Sequence, residues 1–74
     1  MNEENLAAAL AQLLTHAQES EDAYSALEPE AAEAVAAIRN VRSYESVGML
    51  TRDAGFVVYG PDGSEWQVTI VQRR

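Results

Sequence analysis

The chain has no cysteine and no lysine. Without cysteine, no disulfide can brace a small fold and no thiolate can hold a metal. A single histidine, His16, excludes a multi-histidine metal site within one chain. No apolar run approaches the length needed to cross a membrane. The Met-Asn-Glu-Glu start has no basic n-region, so a secretory leader is not expected. A soluble cytoplasmic protein is the resulting expectation, and the lack of cysteine agrees with it. At 74 residues the chain is read as one domain, 1–74. A domain of that size has a limited core and gains from tight helix packing or self-association.

Positive charge is also scarce. The cations are Arg39, Arg42, Arg52, Arg73 and Arg74, set against twelve acids, for a net charge of −7. They are unevenly placed. Residues 1–38 hold eight acids and no arginine, whereas residues 39–74 hold four acids and all five arginines. Direct binding to nucleic acid is therefore disfavoured, because its affinity comes largely from cationic contacts with phosphate. An anionic membrane surface would be repelled for the same reason.

The residues that are present point to an α+β fold. Leu6, Leu10, Leu13, Ala17, Tyr24 and Leu27 recur at helical spacing, and Ala9 and Leu14 widen the stripe. Asn2 suits an N-cap, with Glu3 and Glu4 at the positive end of the helix dipole. A first helix is expected over about 3–27, with the polar run Glu19-Ser20-Glu21-Asp22 as the place where it either breaks or runs through. Pro29 marks a second start. Ala31, Ala34, Val35, Ile38 and Val41 continue that helix to about 43, and the short link between the two implies an antiparallel pair.

Beyond Ser43 the chain turns rich in Val, Thr, Ile and aromatics, and three strands are expected over about 47–51, 55–60 and 65–72. The turn Gly60-Pro61-Asp62-Gly63-Ser64 sets a register. With Pro61 and Asp62 central in a type I turn and Gly63 left-handed, Val58 faces Trp66 and Phe56 faces Val68. One face then collects Phe56, Val58, Trp66, Val68 and Ile70, with Leu50 beside Val58, for the helices to cover. The outer face keeps Val57, Tyr59, Gln67 and Thr69. The predicted architecture is an antiparallel helix pair on a three-stranded antiparallel meander, in the order ααβββ.

Chemistry-bearing constellations are weak. Asp62 and Ser64 could serve a metal or phosphate, but the turn needs those residue types for backbone reasons. It also lacks the further acids of a calcium loop and the base of a phosphate loop. His16 and Glu19 supply too few ligands for a metal. Ser20, Ser25, Ser43, Ser46 and Ser64 have only His16 as a base, and no motif gathers them. No catalytic residue, cofactor or metal is expected. Two surfaces remain. Glu19, Glu21, Asp22, Glu28, Glu30 and Glu33 form an acidic run without an intervening cation. Met49, Val57, Tyr59 and Val71 are placed on the outer sheet face as an apolar patch. The expectation is a small, acidic, non-catalytic protein-binding module, whose partner carries a basic surface. An alternative with the same properties is an inhibitor that mimics nucleic acid charge, of the phage-type anti-CRISPR or polymerase-inhibitor kind. The charge split also allows a homodimer.

Overall fold

A computed structural model describes residues 1–49 and 51–73. The chain runs through α1 (Glu3–Glu19), α2 (Glu21–Ser25), α3 (Pro29–Ala37), β1 (Asn40–Ser43), β2 (Ala54–Tyr59) and β3 (Glu65–Ile70). The strands form one antiparallel sheet in the order β1-β2-β3. The α+β class and the helices-then-meander order are as the sequence implies. Several boundaries are not.

The first helix begins as expected. The Asn2 side-chain oxygen accepts the Asn5 N–H at 2.8 Å, satisfying one of the free donors of the first turn. It does not run to Leu27. Ser20 adopts an extended conformation (φ −98°, ψ 116°) and belongs to both helices. Its N–H donates to the His16 carbonyl at 2.8 Å, closing α1. Its hydroxyl accepts the Ala23 N–H at 3.2 Å, opening α2. A serine followed by Glu21 and Asp22 makes a better helix start than a helix interior, so the chain restarts there.

The helix from Pro29 ends at Ala37 rather than near 43, because Ile38 turns extended (φ −68°, ψ 126°). The end is held from another element. The Gln18 side-chain amide donates to the carbonyls of Val35 at 2.9 Å and Ile38 at 2.5 Å. The Ile38 carbonyl gains a donor that the helix end does not supply, and the Val35 carbonyl, which already accepts the Ile38 N–H at 3.2 Å, gains a second. Asn40–Ser43 then pairs with β2 (Val41 opposite Val58, Ser43 opposite Phe56), so β1 lies earlier than the strand expected at 47–51. Residues 44–48 form turns instead, with Gly48 left-handed at φ 73°. Leu50, expected beside Val58, lies outside the described residues, as does Arg74.

The β2–β3 register is the expected one, with Phe56 opposite Val68, Val57 opposite Gln67, Val58 opposite Trp66 and Tyr59 opposite Glu65. The turn chemistry differs. Asp62 and Gly63 are both left-handed, at φ 62° and 74°. Ser64 N–H reaches the Pro61 carbonyl at 3.2 Å across them. Two central residues at positive φ are the signature of a type I′ turn on Asp-Gly, whose twist matches that of the flanking strands. Aspartate tolerates this region better than most residues.

α1 lies over the sheet, mainly over β2 and β1, on the face that carries Phe56. Ala7 and Ala11 let it approach closely, and α2 and α3 fold back onto it. The buried residues include Ala7, Val35, Tyr44, Phe56 and Val57, and no described side chain is fully enclosed. Trp66, expected inward, is 65% exposed. It stands at the turn end of the edge strand, beyond the cover of α1. Val57, expected on the open outer face, is 4% exposed. It occupies the central strand, flanked by Arg42 and Gln67.

Candidate functional site

The six carboxylates of the acidic run are all exposed. They follow the chain from the end of α1 through α2 into α3. Helix dipoles explain part of this placement. Glu21 and Asp22 stand in the first turn of α2 and Glu30 in the first turn of α3, where negative charge is favoured. Glu28, at the N-cap of α3, also stands at the positive end of a dipole; Glu19 and Glu33 are not explained that way. Glu19 is the last residue of α1, at the negative end of its dipole. Glu28 holds the N-cap position of α3 without a side-chain cap bond. Glu33 lies within α3, past its first turn.

The apolar patch expected on the outer sheet face does not form as a unit. Val57 is buried, and Tyr59 is half-buried between Asn40 and Glu65. Met49 sits in the 44–53 connection rather than in a strand. Val71, 69% exposed, lies just past β3. That face has a different centre. The Tyr44 hydroxyl and the Thr69 hydroxyl share a hydrogen bond of 2.6 Å, and the Tyr44 ring lies over Gly55. A Cβ at Gly55 would stand 2.5 Å from the Tyr44 ring carbon Cε2. Glycine at 55 therefore lets an aromatic ring settle on the strand backbone and bury itself with Val57. Neither Tyr44 nor Gln18 was singled out from the sequence. A tyrosine directly after a strand, facing a strand glycine and a threonine, is the signal that could have found the first. Nothing in the local pattern around Gln18 announces its long-range role.

Each serine hydroxyl is engaged locally. Ser20 and Ser43 accept backbone N–H groups of Ala23 and Ser46, and Ser46 accepts from Arg42. Ser25 and Ser64 donate to backbone carbonyls of their own turns. None of these bonds involves His16. Among the described residues no group of three or more His, Asp or Glu side chains could hold a metal ion. A cleft of about 440 Å³ lies between α1 and the connection that follows β1. Ala7, Ala8, Ala11, Met49 and Phe56 line it, with Glu4 and Asp53 among the polar groups. His16 and Glu19 line a separate depression of about 320 Å³ beside Val41. No helix among the described residues is long and apolar enough to cross a membrane. Compared with protein-family models, with curated proteins and with solved structures, the chain has no significant match.

Proposed function

We propose that the chain is a non-catalytic protein-binding module. It presents the acidic run of Glu19, Glu21, Asp22, Glu28, Glu30 and Glu33 to a basic surface of another protein. One observation carries the reading: Glu19 and Glu33 are exposed without any service to the helices that hold them. Glu19 even stands against its own helix dipole, which costs a few tenths of a kcal/mol at an exposed site. No arginine occurs in residues 1–38 to offset these charges. Such a field raises the rate of encounter with a cationic partner and rejects anionic ones.

The test is partner capture from host extract with immobilised chain, followed by affinity measurement at several salt concentrations. The recovered partner should bind with affinity that falls steeply as salt rises. Glu30→Arg with Glu33→Arg should weaken that binding at least tenfold while leaving the circular dichroism of the chain unchanged. Equal affinity of the charge-reversed chain would sink the reading. A partner groove that otherwise holds nucleic acid would be shown by competition with a DNA duplex.

A further inference from the structure

The chain exposes more surface than a closed monomer of its mass. Folded monomers of 8.1 kDa expose about 4,500 Å², whereas this chain exposes 5859 Å². Its radius of gyration, 12.9 Å, exceeds the roughly 11 Å typical of a compact domain of this length. The excess surface, roughly 1,300 Å², is larger than the ~800 Å² that one partner contributes to a standard interface.

The two edges of the sheet are unequal. β1 is four residues long and carries Arg42, which are ordinary protections against edge pairing. β3 is six residues long and reads Glu-Trp-Gln-Val-Thr-Ile. It has no proline, glycine or interior charge, and its Trp66 is exposed. Its free backbone groups can be assigned. Tyr44 N–H and Arg39 N–H donate to the carbonyls of Gly55 and Tyr59, so the odd residues of β2 bond toward β1. The even residues then bond toward β3, and Gly60 N–H donating to the Ser64 carbonyl at 2.9 Å continues that series. With Val58 opposite Trp66 and Phe56 opposite Val68, Trp66, Val68 and Ile70 are bonded inward. Glu65, Gln67 and Thr69 direct their N–H and C=O groups outward.

We infer that β3 is a homodimer edge, pairing antiparallel with β3 of a second copy about a two-fold axis at Val68. In this register the outward groups of Gln67 meet those of Thr69 in the other copy, and each pair exchanges two hydrogen bonds. On the helix-covered face, Trp66 of each copy faces Ile70 of the other, and the two Val68 side chains face each other. The exposed indole thus joins an apolar ladder running across both sheets. On the opposite face Glu65 lies diagonal to Arg73 of the other copy. The strand is complementary to its own reverse in charge, with Glu65 at one end and Arg73 beyond the other, and this favours a second copy as the partner. The inference is independent of the acidic run, which lies on the helices.

Light-scattering mass across a dilution series tests it, with emission of the only tryptophan followed in parallel. The wild type is expected to move from twice 8.1 kDa to the monomer mass on dilution, with Trp66 emission shifting to the red. Gln67→Pro removes an N–H that bonds nothing within the monomer, so a folded monomer is expected at every concentration. If that variant loses its circular dichroism, Glu65→Arg decides. It should weaken the dimer at least tenfold, and adding Arg73→Glu should restore it. A wild type that stays monomeric at millimolar concentration overturns the inference. So does a dimer insensitive to both substitutions, or one whose formation leaves the emission unchanged.

Discussion

Gly55→Ala tests how the uncovered face of the sheet is closed. In most strand interiors alanine is favoured over glycine by roughly 0.5–1 kcal/mol, because glycine loses more freedom on folding. At residue 55 the sign should invert. An added Cβ would stand 2.2 Å from the Val68 carbonyl oxygen, and 2.5 Å and 2.8 Å from the Tyr44 ring carbons Cε2 and Cζ. The first contact is with backbone in a paired strand, so it cannot be relieved by a rotamer. The second pushes the ring away from Thr69 and loosens a hydrogen bond worth about 1 kcal/mol. Overpacking of this kind costs about 1–3 kcal/mol. A net loss of about 1–3 kcal/mol remains once the loosened hydrogen bond is added and the backbone gain is subtracted. A chain of this length has about 4–11 kcal/mol in total. Thermal unfolding followed by far-UV circular dichroism should show the midpoint falling by about 5–20 °C. The double variant with Tyr44→Ala should show Gly55→Ala costing less than it does alone, since the ring contact is gone. A Gly55→Ala chain as stable as wild type would refute the close approach of ring and strand.

Gln18→Ala should cost about 1 kcal/mol, because the Ile38 carbonyl loses its donor while the Val35 carbonyl keeps the Ile38 N–H. Urea unfolding should show the lower midpoint, and an unchanged midpoint would mean that water serves the Ile38 carbonyl equally well. Tyr44→Phe, which keeps the ring and removes only the bond to Thr69, should cost about 0.5–1.5 kcal/mol by the same assay. A cost equal to that of Tyr44→Ala would place the whole contribution in the hydroxyl and contradict the packing role of the ring.

The β2–β3 hairpin was legible because two separate signals agree there: a Pro-Asp-Gly turn and an alternation that only one register keeps in phase. The turn type was less legible, since Asp62 fits a right-handed and a left-handed position, and the twist of the paired strands decides between them. β1 was hidden for a different reason. Ile38 and Val41 continue the helical stripe of Ala31, Ala34 and Val35, so the sequence alone runs α3 on to about 43. Pairing with β2 and the reach of Gln18, both distant in sequence, end the helix at Ala37. The inward placement of Trp66 failed because register assigns a face but not its cover. α1 is narrow at Ala7 and Ala11 and lies mainly over β1 and β2. The residue that periodicity assigned to the core is therefore exposed beside a bare strand edge. The acidic run was visible from composition, but only the helix boundaries separate carboxylates that serve a dipole from those that do not.

The β3 edge can be read directly by amide hydrogen exchange at Gln67 and Thr69 as a function of protein concentration. In the isolated chain these N–H groups point to solvent, while those of Trp66, Val68 and Ile70 are bonded to β2. Protection at Gln67 and Thr69 should be slight in dilute protein and rise with concentration toward that of Val68. Fast exchange at Gln67 and Thr69 at every concentration, with Val68 protected throughout, would contradict pairing of β3 with a second copy.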